Sequence, residues 1–352
     1  MPPRVGVVMC VHNGWPYLPE AVESILGQER PVDRLVIVDD ASADEGAPYL
    51  AEVADPRVLV LRNAECRGPC AALQRGVGAC DCDLIARLDA DDVAESWRTG
   101  SQVAYMESHP ETVMVCTSAW VIDERGAITG RYTVSGRPAV LQWELMFRNP
   151  VVHSSVMFRA SAYRGAGGYC DLQFAEDYDL WSRLVRSGAR LGAISKPCVR
   201  LRKHGGQVSE QKRHEMLEAT LRIASANVET LTGEAPTRRL VRCLAGASAQ
   251  SPDDALGAID LLAEITRVYL ARHGVGFGAR REISARAHDR TREIAVSAHL
   301  GRRESERALR ACMSGAGYSG LTTYRGARAA VRLVALDSLV AGLRRLRDRG
   351  GP

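Results

Sequence analysis

Apolar positions follow two rhythms over the first 210 residues. Short, nearly continuous runs fall at 5–11 (VGVVMCV), 34–40 (RLVIVDD), 57–63 (RVLVLRN) and 83–89 (DLIARLD). Runs of this length and composition read as strands buried on both faces. Between the first two, Leu18, Val22, Ile25 and Leu26 form one stripe with Pro19 in the first turn, which predicts a helix. A second helix is predicted across CAALQRGVGAC at 70–80. Strands alternating with helices indicate an α/β fold with a mostly parallel sheet flanked by helices, and such sheets bind ligands beyond the carboxyl ends of their strands. Further strands are expected at 112–122 and 151–158, and a helix at 175–188 closing on Gly188 as a C-terminal cap. After VRLRKHGGQVS at 199–209 the strand pattern stops. Residues 210–349 are helical in character, with breaks near 232–236, 251–252, 274–278 and 315–320, which places a domain boundary near 210–235.

A chain of 352 residues exceeds the usual single domain, consistent with one large domain and an appendage. With 46% hydrophobic and 25% charged residues the composition is that of an ordinary globular protein. The net charge of +4 hides an asymmetry: from Gly276 onward sixteen Arg face seven Asp or Glu, so the body before it is mildly acidic. A basic tail suits an anionic partner. Its last helix carries Leu336, Leu339, Val340, Leu343 and Leu346 as a stripe crowded by Arg332, Arg344, Arg345, Arg347 and Arg349. That face fits peripheral contact with an anionic membrane as well as packing against protein. No stretch reaches the roughly 18 apolar residues of a membrane span. The N-terminus enters its first strand without a separate leader pattern. The expectation is a cytoplasmic protein with free thiols, at most peripheral to the inner membrane face, with no nucleic-acid partner. Cys66, Cys70, Cys80 and Cys82 fall close together, but Cys80 and Cys82 are too tightly spaced for a zinc pair, which leaves the reading of small buried apolar residues.

Three polar clusters sit where strands should end: His12-Asn13-Gly14, Asp39-Asp40-Ala41-Ser42 and Asp89-Ala90-Asp91-Asp92. Carboxylates converging on one rim repel unless a cation or donor groups compensate, and hard divalent ions shared with phosphates are the usual solution. Asp91 and Asp92 also fit a helix cap with an acidic first turn. A dinucleotide-binding turn would need G-x-G-x-x-G after the first strand, and a nucleotidyltransferase a Gly-rich basic loop. VHNGWPY offers one glycine and no Lys or Arg. A phosphorelay receiver would explain Asp39-Asp40 but not the later carboxylates.

The segments VVMCVHNGWPYLPEAVESIL, LVIVDDAS, RGPCAALQRGV, LIARLDADD, NPVVHSSVMFR, FAEDYDLWSRLVRSG and RKHGGQVS, in this order over residues 4–210, resemble the family-2 glycosyltransferases of GT-A fold. The resemblance implies a catalytic domain over 1–215, with the donor and metal site in 4–125 and the acceptor and base side in 126–215, followed by a helical region over 216–352. It implies inverting transfer of a sugar from a nucleotide diphosphate donor, a UDP-sugar by analogy, to an acceptor hydroxyl. Val11, His12, Asn13 and Asp40 then look like the pocket for base and ribose, and Arg75 sends a basic group toward the donor. Asp89 and Asp91 look like the D-x-D element, with Asp89 facing the donor and Asp91 the ligand of manganese or magnesium. His204 falls where relatives place a histidine that reaches the metal or diphosphate, although it also reads as a solvated loop residue. Asp177 of the Glu176-Asp177 pair resembles the catalytic base; Glu176, Asp177 and Asp179 equally fit stabilisation of a helix dipole. His153 is assigned to the acceptor side, and Trp181 either stacks on the acceptor or packs in the core. The segment Gly68-Pro69-Cys70 departs from the family's usual run of small residues, and Pro69 removes a backbone donor there. A non-catalytic nucleotide-sugar-binding homologue is the alternative from another class.

Overall fold

The computed structural model describes residues 1–170, 172, 174–205 and 212–298. The basic helix expected near the C-terminus and the break near 315–320 lie outside the described residues. Two compact units emerge: residues 1–142 with 149–219, and residues 143–148 with 220 onward.

The first unit is built on a nine-stranded sheet. Its strands are β1 (Val5–Val11), β2 (Arg34–Asp39), β3 (Val58–Arg62), β4 (Leu84–Arg87), β5 (Val93–Ala94), β6 (Thr112–Ile122), β7 (Ile128–Tyr132), β8 (Met157–Arg159) and β9 (Arg190–Arg202). The order is β3-β2-β1-β4-β8-β6-β9-β5, with β7 on β6. β1 pairs in parallel with β2 and β4, β2 with β3, and β6 with β9, while β8 runs antiparallel to both β4 and β6. Strands β1–β4, β6 and β9 therefore all point one way. Helices α1 (Leu18–Leu26), α2 (Gly46–Glu52), α3 (Pro69–Ala79) and α4 (Arg98–Ser108) provide the crossovers, and α5 (Pro138–Glu144), α6 (Ala160–Gly165) and α7 (Glu176–Arg186) follow. Val5, Val7, Met9, Leu35, Ile37, Leu84 and Ala86 are buried with Leu18, Val22 and Ile25 of α1, which is why the apolar runs showed no alternation.

Local chemistry explains the element ends. Pro69 occupies the first turn of α3, where its missing N–H costs nothing. At the close of α7, Gly188 takes φ +83°, its N–H donates to Val185 O and that of Ala189 to Leu184 O, both at 3.0 Å. This paired closure needs a left-handed residue. The strand expected over 151–158 does not form as one piece: His153–Ser155 is a 3-10 turn and only Met157–Arg159 is strand. Ser155 explains it, since its hydroxyl donates to Val152 O at 2.7 Å and accepts the Thr117 N–H at 3.2 Å, replacing ladder bonds with side-chain bonds.

The second unit contributes helices α8 (Arg213–Thr232, shared with the first unit), α9 (Arg238–Leu244), α10 (Pro252–Arg272) and α11 (Phe277–Ser297). α10 starts at Ser251, whose Oγ accepts the Asp254 N–H at 3.1 Å, with Pro252 next. Within this unit, buried Glu144 is paired with Arg148 and, at 3.1 Å, with Arg286. Among the described residues no helix is long and apolar enough to cross a membrane.

Gly76 marks where α3 lies closest to the sheet. A Cβ there would stand 2.6 Å from Val8 Cγ1 and 3.1 Å from Val38 Cγ2, whereas at Gly78, two residues on, it would meet nothing within 4 Å. Gly76→Ala is expected to destabilise the protein by about 1–3 kcal/mol through overpacking. Gly78→Ala should stabilise it by up to about 1 kcal/mol through helix propensity. Equilibrium denaturation of the two variants checks both signs, and equal effects would refute this packing.

Candidate active site

The carboxyl ends of β1, β2 and β4 carry the three polar clusters to one rim. β1 ends at Val11, whose carbonyl accepts the Asp40 N–H at 2.8 Å, so the chain after β2 is stitched to the chain after β1. Asn13 (φ +55°) and Ala41 (φ +61°) both adopt left-handed backbone to make the turns. Asn13 N–H donates to Ser42 Oγ at 3.0 Å, and Asn13 Oδ1 accepts from Ala43 N at 2.9 Å. His12 Nδ1 lies 2.7 Å from Asp40 O. His12 and Asn13 are exposed, with Asn13 Nδ2 3.2 Å from His12 Nε2.

Asp40 itself is only 3% exposed. Its carboxylate accepts Asn63 Nδ2 at 2.6 Å, the Arg67 N–H at 2.9 Å and the Gly68 N–H at 2.8 Å, with the Cys66 thiol at 3.4 Å. Burial alone would raise its pKa, but these donors, led by the Arg67 N–H, outweigh it and hold the carboxyl below its ordinary value. Its carboxylate is thereby engaged with the 63–68 loop, beside the turn of His12 and Asn13. Arg75 is exposed on α3 and its guanidinium donates to Arg62 O at 2.9 Å and to Asn63 Oδ1, joining the same network. Gly68 takes φ +84° between Asp40 and α3.

The third cluster follows β4. Arg87, buried at 5% exposure, is ion-paired with Asp89 and donates to Ser154 Oγ at 3.1 Å. Ser154 Oγ donates to Asp89 Oδ2 at 2.8 Å and accepts the Asp89 N–H at 3.0 Å. Burial would raise the Asp89 pKa, yet the adjacent Arg87 charge prevails and keeps it below its usual range. Asp91 Oδ2 lies 3.0 Å from His204 Nε2, two residues beyond β9. Arg202, the last residue of β9, secures that approach: its N–H donates to Asp92 Oδ1 at 2.8 Å and its Nε to Asp91 O at 2.9 Å. Tyr17 stands beside His204 at 5.1 Å between ring centroids and takes the Arg202 guanidinium on its face at 4.6 Å.

Asp92 was not among the site residues expected from sequence. It is 1% exposed, and its Oδ2 has no hydrogen-bond partner. Burial first, then the charges of Asp91 and Asp89, push its pKa well above the ordinary value. One carboxylate oxygen from each of Asp89, Asp91 and Asp92 lies within 4.8 Å of the others. A buried carboxylate oxygen without a donor, beside two further carboxylates, fits a hard divalent cation and is costly without one. The third acid in DADD was the available signal; the helix-cap reading obscured it, although the helix begins only at Arg98.

The other wall comes from α7. Glu176 and Asp177 occupy its first turn. Asn149 Nδ2 donates to Asp177 Oδ2 at 2.8 Å and the Tyr178 N–H to Oδ1 at 2.6 Å. Burial, and next the neighbouring Asp177, push Glu176 up to about 7, and burial also raises Asp177. Both carboxyls feel the charges of Arg87 and Asp89, so the helix start and the DADD turn share one cleft. His153 Nε2 lies 2.8 Å from Tyr169 Oη, and burial with the nearby Arg87 holds the imidazole neutral by lowering its pKa well below the ordinary value. Trp181 is 0% exposed, with its ring edge to His153 at 6.2 Å between centroids. That rules out the stacking expectation for this conformation: Trp181 is core. Asp179 pairs with Arg183 at 2.7 Å, and Arg183 reaches Gly168 O at 2.6 Å, pinning α7 to the turn before Tyr169.

The fold and this rim define a glycosyltransferase. The sequence profile described as Glycosyl transferase family 2 matches residues 6–164. EpsE of Bacillus subtilis, a glycosyltransferase by assignment, is 34% identical over 196 residues, 53% of this chain and 69% of EpsE. WfaP of Escherichia coli, named UDP-Glc:alpha-D-GlcNAc-diphosphoundecaprenol beta-1,3-glucosyltransferase, is 24% identical over 64% of this chain and 87% of WfaP. Among solved structures, residues 1–349 of TarS from S. aureus, crystallised with UDP-GlcNAc, share the fold with a TM-score of 0.56 over 92% of each chain at 13% identity. The chain belongs to glycosyltransferase family 2.

The Glu176 carboxyl has a pH signature. Its pKa lies near 7 in the folded protein against 4.5 for the free group, so the native state binds a proton the unfolded chain lacks. Stability should therefore fall as pH rises through this window. Glu176→Gln is expected to flatten that fall, measured as unfolding free energy between pH 5 and pH 8; an unchanged slope would refute the raised pKa.

Proposed function

We propose that this enzyme transfers a sugar from a nucleoside diphosphate sugar to an acceptor hydroxyl with inversion at the anomeric carbon. The observation that carries the reading is the convergence on one cleft of two acidic groups in different electrostatic states. Asp89, beside Arg87, stays ionised, whereas Glu176 and Asp177 have raised pKa values and so more basic carboxylates. WfaP is named for UDP-Glc and TarS was crystallised with UDP-GlcNAc, which supports a UDP-sugar donor. Residues 1–215 would perform the transfer, with 216–352 as a helical appendage, in the cytoplasm where the free thiols persist.

In this reading Val11, His12 and Asn13 border the nucleotide, while Asp40 acts from beneath, fixing the loop that Arg75 and Asn63 brace. Asp89, locked by Arg87 and Ser154, faces the donor ribose or sugar. Asp91, Asp92 and His204 would hold a manganese or magnesium ion. Such an ion neutralises charge building on the departing diphosphate, an effect worth several kcal/mol. Asp177, oriented by Asn149, takes the proton of the acceptor hydroxyl as that oxygen bonds to the anomeric carbon and the bond to the diphosphate breaks. Backside displacement of this kind inverts the centre. Glu176, pushed up to about 7 by burial and then by the neighbouring Asp177, stands beside it. His153, neutral and tied to Tyr169, borders the acceptor side.

Two measurements test the reading. Asp177→Asn keeps the Asn149 contact through its amide oxygen but loses proton affinity; donor affinity should be nearly unchanged while transfer falls by about 10²-fold or more. Wild-type turnover with a lowered melting temperature would instead make Asp177 a helix-dipole residue. Excess chelator should abolish transfer, manganese or magnesium should restore it, and Asp91→Asn should lower it by about two orders of magnitude. Full activity in chelator would sink the metal.

A further inference from the structure

At the opposite end of the sheet from the proposed donor cleft, two of the clustered cysteines meet. Cys66 contacts Asp40, and Cys70 Sγ donates to Cys170 O at 2.8 Å, so both are drawn elsewhere. Cys80, at the end of α3, and Cys82, just before β4, turn their thiols into hydrogen-bond contact with one another. The room for this comes from Gly6 of β1: a Cβ there would overlap Cys80 Sγ and stand 3.2 Å from Cys82 Sγ. Both cysteines line a cavity of about 290 Å³, and Cys80 also lines a neighbouring one of about 480 Å³. The two residues are 4% and 8% exposed, at the wall of these cavities.

The surroundings select the ligand class. Arg4, Arg159 and Arg164 line the smaller cavity together with Asp81 and Asp83, three cationic groups against two acids. The nearby acids are already engaged: Asp33 Oδ2 accepts the Val5 N–H at 2.7 Å, Asp83 Oδ2 accepts the Arg4 N–H at 2.9 Å, and the exposed Asp81 carboxylate pairs with the Arg4 guanidinium at 3.5 Å. A zinc ion needs four ligands, and among the described residues no further His, Cys, Asp or Glu groups with these two thiols. A soft monovalent d¹⁰ cation is satisfied by two thiolates, and the resulting complex carries one negative charge that the arginines match.

We propose that Cys80 and Cys82 form a two-coordinate thiolate site for a soft monovalent cation, with Cu(I) as its representative. Binding is balanced as two thiols plus Cu⁺ giving a bis-thiolate cuprous anion and two protons. It is separate from the transfer chemistry and does not depend on it.

The test uses reduced, full-length protein under anaerobic conditions, titrated with Cu(I) held by bicinchoninate. The wild type should withdraw about one equivalent and Cys66→Ser should behave alike, whereas Cys80→Ser and Cys82→Ser should withdraw none at the same chelator concentration. Zn²⁺ in place of Cu(I) should show no stoichiometric uptake. Alkylation mapped by mass spectrometry on the wild type guards against variants that fail to fold: one equivalent of Cu(I) should protect Cys80 and Cys82 and leave Cys66 and Cys170 reactive. No uptake by the wild type, uptake retained in Cys82→Ser, or protection confined to Cys66 and Cys170 would overturn the proposal.

Discussion

Arg87 is a cation held in the middle of the sheet, and much of the cleft is arranged around keeping it there. A guanidinium without water costs several kcal/mol unless opposite charge and hydrogen bonds replace the solvent. Asp89 and Ser154 supply these directly, and Glu176 and Asp177 from α7 lie within reach of its field. The same residue closes the sheet, since its N–H donates to Val156 O at 3.1 Å and its own carbonyl accepts from the buried Arg98 at 2.6 Å. Arg98 also donates to Val156 O at 3.2 Å, so the reversal of direction at β8 is held by two buried arginines. The cation lets several acids share one cleft: it keeps Asp89 ionised while burial leaves Glu176 and Asp177 basic.

Support and contact are divided among residues that look alike in sequence. Asp40 and Asp91 both follow strands and both carry a carboxylate, yet Asp40 is spent on loop donors while Asp91 faces His204. The difference arises from the next segment along the chain. After β3, residues 63–68 fold back and aim two backbone N–H groups at Asp40. After β4 it is the far end of β9 that arrives, bringing one N–H for Asp92 Oδ1 and none for Asp92 Oδ2. That missing donor separates the Asp92 carboxylate from that of Asp40, whose loop supplies its donors.

The four leading strands, the crossover helices α1 and α3 and, as far as residue 298, the helical character after residue 210 were legible in local order, because apolar periodicity and turn residues act over a few positions; α2 and α4 were not expected. Gly188 likewise announced its capping role, since tolerance of left-handed backbone is a property of a single residue. The family pattern further marked which acids and histidines to compare. What local order left open was decided by partners far along the chain. The serines at 154 and 155 turned an apolar run into a 3-10 turn by bonding to Asp89 and Thr117. Trp181 became core because α7 lays it beside His153, whereas its sequence neighbours suit either surface or interior. The unpaired oxygen of Asp92 and the meeting of Cys80 with Cys82 over Gly6 exist only in three dimensions. Periodicity fixes which face of an element is apolar, but hydrogen-bond supply and charge at a given atom are set by whatever packs against it.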